Sequence, residues 1–179
     1  MANLEGSTFV LRTVDATNNN ASYSSWTWSS VDLRSILGTL WDNYDYFNIA
    51  LVSAVSSVVA TTPTYATNDH KIGMINMSGL RWTSSYDTGT KTNTNVVSIG
   101  FINFTGLTTS VPISIQNNTL SYNTFTKGNP VVNITIFYTK ILDGLANVTA
   151  TNVFPQMNFL FRIVPIKKDE ISFNAKRLF

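Results

Sequence analysis

The chain has 179 residues, 44% of them apolar and only 12% charged, with a formal net charge of +2 and no cysteine. A chain of this length buries roughly 70% of the surface its unfolded form exposes, so one core is expected and a second full domain is not. So weak a charge excludes electrostatic capture of nucleic acid by the body of the protein, and the absence of thiols excludes disulfides and cysteine chemistry.

Asn, Thr and Ser, roughly a third of the residues, take over the wetting of the surface, and they favour strands joined by polar turns. The opening "MANLEGSTFVLRTVDATNNN" lacks the apolar core of a signal peptide, and no long apolar run suggests a membrane-spanning helix. A soluble protein made in a cytosol-like compartment is expected. N-x-[ST] triplets begin at Asn20, Asn76, Asn103, Asn117, Asn133 and Asn147, a pattern that so much Asn and Thr produces by chance.

Hydrophobic period 2 dominates along the chain. "STFVLRTV" sets Phe9, Leu11 and Thr13 against Val10, Arg12 and Val14 and reads as a first strand. "SYSSWTWSS" places Trp26 and Trp28 on one side of a short second strand. "SVDLRSILGTLW" is the one helical segment, with Leu33, Ile36, Leu37 and Leu40 at spacings of three and four, Ser30 as its cap and Gly38 as its weak point. From Phe47 to Val55, the residues Phe47, Ile49, Leu51 and Val55 alternate with Asn48, Ala50, Val52 and Ala54 as a strand buried on one face and partly covered on the other. Asp42 and Asp45 fall in the turn before it, where carboxylates cap backbone amides more often than they catalyse.

"ATTPTYATNDH" is loop, and His70 at its edge, the sole histidine, reads as a surface residue without partners for a triad or a zinc site. "KIGMINMSGL" resumes the alternation, Ile72 and Met74 against Ile75 and Met77. The polar crossing "RWTSSYDTGTKTNTN" carries Trp82 and Tyr86. "VVSIGFINFTG" follows with Val97, Ile99 and Phe101 on one face, Val96, Ile102 and Phe104 on the other, both covered. A strand in "TLSYNTF" and a turn at Lys127–Pro130 lead to "VVNITIFYTKI", with Val132, Ile134, Ile136 and Tyr138 set against Asn133, Thr135 and Phe137. After connecting structure in "LDGLANVTATN", "QMNFLFRIVPI" alternates Met157, Phe159, Phe161 and Ile163 with Asn158, Leu160, Arg162 and Val164, and Pro165 ends it or marks an edge.

About eight strands, one inserted helix and no βαβ alternation predict an all-β, eight-stranded antiparallel sandwich of jelly-roll type. The expected division is a domain over 1–166 and a basic tail over 167–179, where Lys167, Lys168, Lys176 and Arg177 collect after a stretch from Thr92 to Tyr122 without any charge.

The runs "DLRSILGTLWDNYDYFNIALVS", "MINMSGLRW", "YDTGTKTNTNVVSIGF" and "FLFRIVP" together resemble the small single jelly-roll capsid proteins of large icosahedral double-stranded DNA viruses, the minor capsid and penton proteins. The resemblance spans about Phe9 to Pro165 and consists of structural residues. It implies a building block of a virion shell, made in the host cytoplasm, whose partners are the major capsid protein and further copies of itself. A penton would form a ring of five, and a minor capsid protein would sit beneath or between capsomers, often as a trimer. It carries over no catalytic, metal or cofactor site.

On that reading the interface candidates are Trp26, Trp28, Trp41 and Trp82, together with Lys167, Lys168, Phe173, Lys176, Arg177 and Phe179 of the tail. Trp residues also fill cores, and charged tails also merely face water. The rival from another class is a carbohydrate-binding or host-attachment sandwich, with Trp82 and Tyr86 stacking on a sugar ring. An enzyme is not expected, because G-x-S-x-G, H-E-x-x-H and the phosphate-loop motif are all missing from the sequence.

Overall fold

Alternating apolar side chains and turn-forming polar segments give strands throughout the computed structural model of the chain, which describes residues 6–19, 25–56, 72–83, 86–87, 92–93, 95–103, 113–116, 122–140 and 157–167. In order these are β1 (Ser7–Arg12), a 3-10 turn (Thr13–Asp15), β2 (Asn18–Asn19), β3 (Ser25–Asp32), α1 (Leu33–Leu37), α2 (Thr39–Asn43) and β4 (Tyr46–Ser56). There follow β5 (Ile72–Ser78), β6 (Tyr86–Asp87), β7 (Thr92–Asn93), β8 (Val96–Asn103), β9 (Ile113–Gln116), β10 (Asn123–Thr126), β11 (Val131–Lys140) and β12 (Met157–Ile166).

One sheet runs β1-β12-β4, with β9 and β10 both paired to the far side of β4, and the other runs β2-β3-β11-β5-β8; every pairing is antiparallel. Successive long strands exchange sheets, except that β5 and β8 are neighbours. That is a jelly roll. Among the described residues nine strands have four or more residues, against the eight expected. The extra one arises because β9 meets Ser53–Ser56 while β10 meets Tyr46–Ile49, so two short strands share one edge position.

The inner faces of the sheets meet in one core. Trp26 of β3 lies edge-on to Tyr138 of β11 with ring centroids 5.5 Å apart, and Trp26 and Trp28 both contact Phe159 of β12 at 5.9 and 6.3 Å. The Tyr138 hydroxyl donates to Met157 Sδ at 2.9 Å, and its burial pushes the phenol well above its ordinary pKa, so it stays neutral. Thr13 is buried, and its Oγ1 accepts from the Met157 backbone N–H at 2.7 Å, closing the end of β1 onto the start of β12. Met157, Phe159, Phe161 and Ile163 are all buried, as the period-2 pattern of β12 predicts.

Bulges override that pattern in two strands. In β4 the pairing with β12 steps from Leu51↔Phe161 to Ser53↔Leu160, leaving Val52 as an extra residue; Ala54 and Ser56 therefore turn inward and Val55 outward, 40% exposed. In β8 the pairing with β5 steps from Ser98↔Asn76 to Gly100↔Ile75, and past the extra Ile99 the Phe101 ring points outward, 59% exposed. The expected inward Val55 and covered Phe101 are both corrected by this half-period shift. Pro165 does not end β12, which pairs with β4 as far as Ile166, but it lies past Ser7↔Ile163, the last β1 partner among the described residues. It occupies an edge on that side, where a missing N–H removes no ladder bond.

The expected helix exists as two five-residue pieces. Its cap is Asp32 and not Ser30: Asp32 Oδ1 accepts from the backbone N–H of Arg34 and Ser35 at 3.0 and 3.2 Å, and Ser35 Oγ donates to Asp32 Oδ2 at 2.6 Å. Ser30 instead sits at φ 60° in the irregular stretch where β3 meets β11, its N–H held by Asn133 Oδ1 at 3.0 Å. Gly38, at φ 56° and ψ −131°, separates α1 from α2 in a conformation that residues with a Cβ avoid.

Candidate functional site

Three connections close one end of the sandwich: the helices between β3 and β4, the segment 79–83 after β5, and the turn 127–130 between β10 and β11. Gly79, at φ 106°, packs its backbone so closely on β11 that a Cβ there would strike the Asn133 carbonyl. Beyond it, segment 81–83 zips onto the free side of β10: Thr126 N–H donates to the Arg81 carbonyl at 2.8 Å and Thr83 N–H to that of Thr124 at 3.0 Å. Trp82 is thereby set opposite Phe125.

A row of rings runs beneath this end. Trp41 of α2 stacks on Phe47 of β4 at 5.8 Å, Phe47 on Phe125 of β10 at 5.5 Å, and Trp82 meets Phe125 edge-on at 6.3 Å. Such pairs contribute about 0.5–1.5 kcal/mol each beyond the area they bury, enough to fix the site's floor. Above the row lie two adjoining hollows. One, of about 280 Å³, is lined mainly by Leu33, Trp41, Leu80 and Phe125. The other is wider, about 680 Å³, and is lined by Arg81, Lys127, Trp82, Tyr46, Asp45 and two threonines.

The cations of the wider hollow are held differently. The Lys127 backbone N–H donates to the Asp45 carbonyl at 2.7 Å, while its ammonium lies 5.7 Å from the centre of the Trp41 ring and gives one long bond, 3.4 Å, to the Asp42 carbonyl. Arg81 is exposed, and among the described residues its guanidinium has no ion-pair partner. The Trp82 indole N–H donates to the Asn95 carbonyl at 3.0 Å, which fixes the ring. Thr83 and Thr126 donate their hydroxyls to the carbonyls of Thr124 and Arg81, leaving oxygen lone pairs to accept.

The sequence-derived interface residues are thus dispersed. Trp26, Trp28 and Trp41 are buried in the chain's own core, so their rings do not stand on its surface; strand and helix period direct them inward. Trp82 alone of the four is half-buried and lines the hollow. Lys167 is exposed just past β12, and Lys168, Phe173, Lys176, Arg177 and Phe179 lie outside the described residues, as does His70. Among the described residues Asp42 caps no backbone amide but pairs with Arg34 at 3.1 Å on the surface, a contact worth about 0–1 kcal/mol. Tyr86 stands in the two-residue β6. Sequence reading passed over Arg81 beside Trp82 in the chain, and it missed Lys127 and Tyr46 because only the pairing of β10 with both segment 81–83 and β4 brings them to Trp82.

Among the described residues no group of three or more His, Asp or Glu could hold a metal ion, and no helix is long and apolar enough to cross a membrane. Compared with protein-family models and with curated protein sequences, the chain matches none.

Proposed function

We propose that the chain is a structural subunit of an icosahedral viral capsid shell, a penton or minor capsid protein, acting through contacts with copies of itself and with other capsid proteins. The observation that carries this reading is the outward apolar surface of a jelly roll: Val10 and Val55 stand exposed on the outer face of one sheet and Phe101 on that of the other. Side chains of this kind on both faces suit a block that is covered on more than one side. The charge-poor composition adds support, since burying hydroxyl and amide groups against a neighbour costs less than burying unpaired charges. The reading places the protein in the virion, after synthesis in the host cytoplasm.

Light scattering on the purified chain over a range of concentrations tests it. A species near five times 19.8 kDa supports a penton, and one near three times that mass a minor capsid protein. A monomer at every concentration, which also fails to enter particles when co-expressed with a major capsid protein, overturns the reading.

A further inference from the structure

We infer that the hollow between Arg81, Trp82, Tyr46 and Lys127 is a binding site for an acidic sugar, a pyranose bearing a carboxylate or sulfate. The inference is independent of the shell reading. It rests on three kinds of group brought to one place.

Two cations come first. Arg81 keeps its guanidinium donors free of any ion pair among the described residues, and Lys127 has given one of its three donors to the Asp42 carbonyl. Asp45 is the sole carboxylate among the described residues of the lining, so these residues together carry a net positive charge. Guanidinium and ammonium together suit a carboxylate or sulfate.

Rings come second. Trp82 is held by the bond from Nε1 to the Asn95 carbonyl and by its edge-on packing against Phe125, so what it presents to the hollow is already ordered. With Tyr46 it offers an aromatic wall to the apolar face of a pyranose at little entropic cost.

Acceptors come third. The hydroxyls of Thr83 and Thr126 donate to backbone carbonyls, so toward a ligand they can only accept, as the Asp45 carboxylate does. Sugar hydroxyls are the donors such groups need. A bare anion would leave the rings and acceptors unused, and a neutral sugar would leave both cations unused.

The test titrates 3′-sialyllactose, lactose 3′-sulfate, lactose and adenosine monophosphate into the full chain at low salt, followed by NMR. Saturable binding of one or both acidic sugars is expected in about the millimolar range, at least about tenfold tighter than lactose. The two acidic probes separate carboxylate from sulfate as the preferred group. Arg81→Gln and Lys127→Gln should each weaken the acidic sugar about fivefold to tenfold and leave lactose unchanged, and raising salt from about 50 to about 500 mM should weaken it further. Arg81 is exposed and Lys127 half-buried, and circular dichroism checks that each variant folds. The inference is overturned if no acidic sugar saturates, if lactose binds equally well, if the nucleotide binds more tightly, or if neither folded variant loses affinity.

Discussion

Trp26 and Trp28 point the same way from one strand, yet their indole nitrogens have opposite fates. Trp28 Nε1 donates to the Arg12 carbonyl at 2.8 Å and ties β3 to the end of β1. Trp26, fully buried, has no acceptor for its N–H among the described residues. Replacing either by Phe removes the same volume, but only Trp28→Phe strands a partly buried carbonyl. The denaturation midpoint is therefore expected to fall further for Trp28→Phe, by a difference of about 1 kcal/mol. The reverse order would mean that the hole left at Trp26 outweighs the lost bond. The shared face of the two rings was legible from their spacing alone. Which of them finds an acceptor was not, because the acceptor belongs to Arg12, and only the folded sandwich brings that carbonyl to β3.

At the scale of elements, local signals were readable where they agreed with the period and unreadable where one residue shifted it. β12 follows its alternation without interruption, whereas Val52 and Ile99 each insert a half-period, and bulges have no fixed sequence signature. The helix segment shows the same limit. Its apolar spacing was visible, but Asp32 displaces Ser30 as cap because β3 continues through Ser30. The Asp32 carboxyl is held below its ordinary value of 3.8, chiefly by the Ser35 hydroxyl, then by the Ser35 and Arg34 amides and the Arg34 charge. A group depressed on folding stabilises the fold fully above its unfolded pKa and loses that contribution as pH falls through its folded value. Asp32→Ala should therefore melt a few degrees below the parent at about pH 6, and the gap should be smaller at a pH below 3.8. A gap of equal size at both pH values would show that the ionised carboxylate is not what caps α1.

For the whole molecule, the sandwich was legible because nearly every strand advertises an inner face, and the outer faces were not, since exposed apolar residues look like core in a period-2 pattern. Phe101 and Val10 now separate stability from assembly. Both are largely outside the core, at 59% and 46% exposure, so changing them to Thr, which keeps strand propensity, should move the chain's own stability by no more than about 0.5 kcal/mol. If the outer faces meet neighbours, the same changes remove apolar contact from an interface. Truncating such a side chain at a contact centre commonly costs about 1–2 kcal/mol, which raises the dissociation constant about fivefold to thirtyfold per contact. Repetition of that contact around a closed ring multiplies the effect, because every subunit carries the change. The Phe101→Thr, Val10→Thr variant should accordingly keep the parent's melting temperature while its light-scattering mass falls to that of the monomer at concentrations where the parent is assembled. Assembly undiminished by the double change would move the contacts away from both sheet faces. A variant that unfolds along with losing mass would mean that these residues hold the sandwich itself, against their exposure.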